Sequence, residues 1–138
     1  FFFFFYSFST KQDLTDFTDY LFSVEYWGYY ELLIFANTLD VLNHETLMVL
    51  AKEMSRRSDF YKEIPNNRRM ISTMLLNVYI TCIEREELID APYFEKQLNQ
   101  CFFIETEIYE RLVFQYAQNY YQYKKEIKKK EAISLLSK

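Results

Sequence analysis

Glycine is nearly missing from this sequence: Gly28 is the single one in 138 residues, and only two prolines accompany it. That scarcity excludes a glycine-rich phosphate loop. It also leaves few sites for sharp reversal, so long helices joined by short connectors are the favoured architecture. Histidine is equally scarce. His44, the sole imidazole, stands between Asn43 and Glu45 at an expected helix start, where an exposed first-turn residue is preferred over a catalytic base. Cys82 and Cys101 come without a histidine cluster, which leaves a zinc site poorly supported. Both are read as inert thiols of a reducing compartment, and no secretory leader is recognisable. The run Phe1–Phe5, with Tyr6 and Phe8, is interrupted by polar residues too early to span a bilayer. A cytoplasmic chain without a membrane partner is expected.

An excess of positive charge is also lacking, since 16 Lys and Arg face 20 Asp and Glu for a net charge of −4. No phosphate-backbone footprint is advertised by that balance. The concentrated basic run, Lys124, Lys125, Lys128, Lys129 and Lys130, is read as a solvated tail whose lysines complement the carbonyl end of a terminal helix.

What is abundant is aromatic area, with 14 Phe and 13 Tyr in a chain that is 50% hydrophobic. Periodicity predicts six helices. The first covers about Asp13 to Glu25, with Leu14, Phe17, Leu21 and Val24 on one face. After a break at Trp27–Gly28, where the glycine permits close approach of two helices, the second covers about Tyr29 to Thr38, with Tyr30, Leu33, Ile34 and Asn37 along one side. Asn43 is placed as the cap of a third helix ending near Ser58, with Leu47, Leu50, Ala51 and Met54 as its apolar stripe. The fourth, about Asn67 to Glu86, carries Met70, Ile71, Met74, Leu75, Leu76, Val78, Ile80, Cys82 and Ile83 around most of its circumference, which predicts neighbours on several sides. The fifth starts near Asp90–Ala91–Pro92 and continues through Phe94, Leu98 and Cys101 or Phe102. The last, about Glu105 to Glu126 or beyond, carries a seam of Tyr109, Leu112, Tyr116, Tyr120, Tyr123 and Ile127 that needs a partner. The expected fold class is all-α, antiparallel helical hairpins in a short tetratricopeptide-like superhelical array, with a compact orthogonal bundle as the competing solution. Residues 1–12 are left unassigned, and 13–138 are read as one domain.

Candidate chemistry is sparse. Glu84, Glu86 and Glu87, like Glu105, Glu107 and Glu110, lack the Glu-x-x-His element of a di-iron centre and are read as solvated helix ends. No enzyme and no cofactor is expected. More informative is a polar line on the fourth helix, Arg69, Thr73, Asn77 and Thr81, at spacings of four. Asn77 leads it because an amide both donates to and accepts from a peptide backbone; ligand contact and an internal tie weigh equally on spacing alone. Asn37 repeats the situation, although Asn commonly terminates a helix. Arg56 and Arg57, like Arg68 and Arg69, suit a carboxylate, with surface pairs to Asp59 or Glu63 equally open. Tyr116, Tyr120 and Tyr123, with Met70 and Met74, are core residues individually; collectively they suit a groove for an apolar peptide.

The run Asp19 to Asn37, DYLFSVEYWGYYELLIFAN, resembles the signature near the start of the C-terminal domain of Rgg/MutR/GadR-type transcriptional regulators. Leu75–Leu76–Asn77, Ala91–Pro92–Tyr93–Phe94 and Tyr109–Glu110–Arg111–Leu112–Val113–Phe114 follow in the family's order, so the resemblance covers roughly Asp16 to Tyr123. It implies a helical-repeat regulatory domain from a Gram-positive bacterium, a homodimer, and a short apolar signalling peptide as ligand. It further implies contact with DNA only through an N-terminal helix-turn-helix domain, absent here. Carried over residue by residue, it makes Asn77, Arg68 and Arg69 the preferred holders of peptide backbone or carboxylate, with Thr73, Asn37, Tyr116 and Tyr120 completing the expected peptide-binding set. Members more often carry glycine near the position of Tyr120. The competing function is a ligand-independent protein-interaction or dimerisation module.

Overall fold

The structure, a computed structural model, describes residues 11–101 and 108–137. These residues form an all-α fold: α1 (Lys11–Ser23), α2 (Tyr29–Thr38), α3 (His44–Arg57), α4 (Pro65–Glu84), α5 (Ala91–Cys101) and α6 (Ile108–Leu136), with short 3-10 turns at Leu39–Val41 and Asp59–Tyr61. The aromatic run before Lys11, Phe102, Glu105 and Glu107 lie outside the described residues. The chain divides into two compact units, Phe1–Val78 and Tyr79–Lys138, and the division falls inside α4.

In the first unit, α3 follows its sequence pattern closely. Asn43 caps it, its side chain accepting from the Thr46 N–H at 2.8 Å, and Leu47, Met48, Leu50, Ala51 and Met54 are buried. The boundaries of α2 are also as expected, but its buried face is not. Leu32, Ile34, Phe35 and Thr38 point inward, while Tyr30 is 64% exposed and Leu33 and Asn37 are half-buried. The segment is apolar on nearly every side, so periodicity could not fix its phase. Trp27 fixes it instead. The fully buried indole packs against Phe35 with ring centroids 5.7 Å apart and donates to the Leu21 carbonyl at 3.1 Å. On α1, Leu21 is the buried member of the expected stripe, and Phe17 is exposed.

The same carbonyl is one of three taken by Arg57 at the end of α3. Nη1 of Arg57 donates to the oxygens of Leu21, Phe22 and Val24 at 3.2, 2.8 and 3.0 Å. One nitrogen carries two hydrogens, so three acceptors require sharing. Glu53 holds the guanidinium in place, accepting from Nε at 2.8 Å and also from Arg56. The arginines therefore meet Glu53 and backbone, whereas Asp59 pairs with Lys62 at 2.9 Å. The hydrogen bond from Arg56, and secondarily that from Arg57, hold the Glu53 carboxyl below its ordinary pKa against an opposing desolvation. The last carbonyls of any helix lack partners within it, and a cation there also complements the helix dipole. The Arg57 backbone joins in, its carbonyl accepting from Trp27 N–H at 2.8 Å.

Gly28 begins α2 with φ −90°, a conformation open to any L-residue, and its N–H donates to Glu31 Oε1 at 2.9 Å. A Cβ at this position would meet Glu31 and Tyr61 at 3.6 Å or more, an ordinary contact. Glycine permits this approach, as expected, and the space around it would admit a Cβ as well.

In the second unit, Tyr79 on α4 is fully buried and reaches two helices. Its hydroxyl donates to Glu95 Oε2 on α5 at 2.9 Å, and its ring meets Phe114 and Tyr121 on α6 at 5.8 and 6.2 Å between centroids. Ala91, Phe94 and Leu98 form the buried face of α5, as its spacing predicts. On α6 the buried residues are Phe114, Ala117 and Tyr121. The expected seam is instead turned outward, with Tyr116 74% exposed and Tyr109, Leu112 and Tyr123 also exposed. The basic run stands within α6, ahead of its end at Leu136, rather than forming a terminal tail.

Replacing Arg57 with alanine is expected to cost about 1–3 kcal/mol, since charge-assisted hydrogen bonds to two part-buried carbonyls and one exposed carbonyl are lost together. Chemical denaturation of the full chain measures this. Gly28→Ala serves as the contrasting neighbour, with a change within about 1 kcal/mol of zero and toward higher stability. Burial, then the hydrogen bond to Glu95, raises the Tyr79 pKa above the ordinary tyrosine value. A raised folded-state pKa means that this contribution is intact below the unfolded pKa of about 10 and is lost as pH rises beyond it. Tyr79→Phe should therefore flatten the loss of stability measured between about pH 9 and 11; an unchanged slope would show that Tyr79 is not its source.

Candidate functional site

Almost every side of the stretch of α4 within the first unit is covered. Met70, Ser72, Thr73, Met74, Leu75, Leu76 and Val78 are all buried. Pro65 opens the helix at a position where its missing N–H costs nothing. The polar line along this helix is not uniform. Arg69 is exposed, Thr73 is only 4% exposed, and Asn77 is half-buried, as is Thr81 beyond the division.

Thr73 turns its hydroxyl back on its own helix, donating to the Arg69 carbonyl at 2.8 Å. Ser72, which spacing did not single out, donates to the same oxygen at 3.0 Å. Back-bonding of this kind satisfies a hydroxyl at the expense of helix regularity. It commits the Thr73 hydrogen locally and leaves its oxygen as the part able to meet a ligand donor. Arg68 is half-buried and already engaged in interactions. Asn67, a further side chain that sequence spacing missed, is buried beside them at the start of α4.

Asn37 has an open chemical requirement, one that Ser55 Oγ on α3 shares among the described residues. The side chain is half-buried in the last turn of α2, and its Oδ1 is sealed from solvent without a hydrogen bond from any described residue. Its neighbour Thr38 is satisfied, donating to the Phe35 carbonyl at 3.0 Å. A sealed acceptor without a donor costs roughly 1–3 kcal/mol, so Asn37 is a poor choice for an end-of-helix role alone.

The seven expected residues are divided between the units. Asn37, Arg68, Arg69, Thr73 and Asn77 lie in the first, while Tyr116 and Tyr120 belong to α6 in the second. Tyr120 is half-buried with Lys124 Nζ 5.7 Å from its ring centroid. His44 opens α3 half-buried rather than exposed, and Cys82 is buried as a thiol. No helix among the described residues is long and apolar enough to cross a membrane.

Residues 6–138 match the family described as HTH-type transcriptional regulator Rgg, C-terminal domain. The chain belongs to the Rgg family. Two solved Rgg structures agree with the fold. The SHP pheromone receptor Rgg2 of Streptococcus dysgalactiae, in a form with one cysteine replaced by serine, superposes with a TM-score of 0.77 at 31% identity, covering 85% of this chain and 43% of that one. Another structure of that receptor gives 0.75 at 31% identity, over 82% and 42%. This chain thus spans less than half the length of Rgg2. Membership agrees with the resemblance carried by residues 19–37, and it makes the chain part of a transcriptional regulator's C-terminal region.

If the Asn37 carbonyl awaits a donor from outside this Rgg chain, an apolar replacement of similar shape should not weaken the ligand-free protein. Asn37→Leu is expected to leave its stability unchanged or raise it by about 1–2 kcal/mol in urea denaturation. A loss of that size would show instead that the amide already serves the fold.

Proposed function

We propose that this chain is the ligand-sensing and pairing region of an Rgg regulator. It binds a short apolar signalling peptide and relays occupancy to an attached helix-turn-helix domain. The observation that carries the reading is the half-buried amide of Asn37, whose oxygen meets no donor among the described residues and would take a peptide N–H once the side chain turns out of the packed position it holds in the ligand-free protein. Two further facts support it. A solved relative of the same fold is a pheromone receptor, and the same unit holds a second amide, Asn77, on the polar line of α4.

In this reading Asn37 and Asn77 hold peptide backbone, which carries little sequence information, and Arg68 and Arg69 take a carboxylate. The Thr73 oxygen accepts a further N–H. The relay requires the peptide to prefer one of two arrangements of the regulator by a free energy, since equal affinity for both shifts nothing. Cytoplasmic residence follows from work on promoter DNA through the helix-turn-helix domain.

The outward seam of α6 favours an additional role in pairing. Tyr109, Leu112, Tyr116 and Tyr123 expose a continuous apolar stripe, and such stripes mark association surfaces. A homodimer is the proposed assembly.

Native mass spectrometry with a panel of short apolar peptides tests the sensing role. The intact regulator should bind at least one, and Asn37→Leu should weaken that affinity about tenfold, equivalent to one hydrogen bond of about 1.4 kcal/mol. Absence of binding across the panel would sink the sensing role. A mass that stays monomeric across a concentration series would sink the pairing role.

A further inference from the structure

α4 ends in a left-handed turn that its sequence does not favour. The Glu86 N–H donates to the Ile83 carbonyl at 3.0 Å and the Glu87 N–H to the Cys82 carbonyl at 2.8 Å. Between them Glu86 adopts φ 59°, the sole positive φ of a non-glycine residue among those described. This position is usually taken by glycine, or by asparagine, because a Cβ is disfavoured there. Glutamate offers the backbone no compensation of its own.

The side chain does something else. One oxygen of Glu86 lies 3.4 Å from Lys124 Nζ and the other 2.8 Å from Lys128 Nζ, so a single carboxylate clasps two lysines one turn apart on α6. The clasp sits where α6 leaves its packed stretch. Tyr121 is its last buried residue, and from Gln122 to Ser137 every residue is exposed or half-buried. Lys125, on the adjoining turn, stands 5.3 Å above the Tyr121 ring.

We propose that Glu86 is a charge-operated latch on α6. The disfavoured turn is retained because only there can one carboxylate reach both Lys124 and Lys128, and this clasp carries helix order past Tyr121. Salt, or loss of either charge, opens the latch and frees the helix from Gln122 onward. An isolated exposed ion pair often contributes nothing measurable. The left-handed backbone and the double clasp separate this case from that one, because a passive surface glutamate would gain from being glycine. The inference does not depend on the peptide-sensing role.

Hydrogen exchange of the full chain, read by mass spectrometry in about 20 mM and about 500 mM salt, tests it, since screening shortens from roughly 20 Å to about 4 Å across that range. In the wild type, protection of the stretch Gln122–Lys130 should fall at least threefold at high salt, with the buried and uncharged stretch Met70–Val78 of α4 as the internal reference. Glu86→Gln should show the high-salt behaviour already at low salt. Glu86→Gly relaxes the turn and removes the carboxylate, and should also lose protection in α6. Equal or better protection in Glu86→Gly would make Glu86 merely a poor helix terminator and overturn the proposal. So would salt-independent exchange in the wild type, a measurement that stands even if a variant fails to fold.

Discussion

The first unit depends on a guanidinium set against the carbonyl end of a helix. Arg57 arrives from the end of α3, thirty-odd residues along the chain from the carbonyls it takes at Leu21, Phe22 and Val24. Such oxygens have no partner within the helix where α1 stops, and Leu21 alone of the three also has the Trp27 indole as a donor. Glu53, one turn earlier on α3, fixes the planar group from its own helix. Trp27 closes the circuit by donating its indole hydrogen to Leu21 and its backbone hydrogen to Arg57. The exit of α1, the turn, the start of α2 and the end of α3 thus share one small network, and the buried phase of α2 follows from where it leaves the tryptophan.

The second unit solves the same problem with a ring instead of a charge. Tyr79 carries enough apolar area to be gripped by Phe114 and Tyr121, while its hydroxyl reaches Glu95. One residue of α4 therefore touches both other helices of the unit, and a buried phenol can do so because its polar tip finds a partner. That α4 supplies residues to both units explains why so little of its circumference is polar.

How much of this is legible in the residues depends on the kind of interaction. α3 could be read almost completely, because its cap is a side chain of known preference and its stripe contrasts with polar faces. α2 could be bounded but not oriented, since its apolar residues surround the axis. On α6 the large tyrosines misled: the inward face is set by Phe114, Tyr121 and small Ala117, which allows close packing, and the more numerous rings face outward. The role of Arg57 was illegible because its partners are backbone carbonyls, which have no letter in the sequence. For the candidate site, the positions of the polar residues could be read, and their satisfaction could not. Spacing gives no sign that Thr73 bonds its own helix while the Asn37 oxygen meets no donor among the described residues. Rgg membership, by contrast, was carried by residues 19–37 themselves, because a contiguous run of specific side chains survives any error about which way they point.

The length of α6 has a mechanical implication. From its last buried ring at Tyr121 to Leu136 the helix continues for roughly 22 Å at 1.5 Å per residue. A straight rod of that reach multiplies whatever happens at its root. A tilt of about 10° at Tyr121 would carry the far tip through about 4 Å, comparable to most of one helical turn. Small repacking around Phe114 and Tyr121 is thus geometrically sufficient to swing the tip of the rod by the width of a side chain.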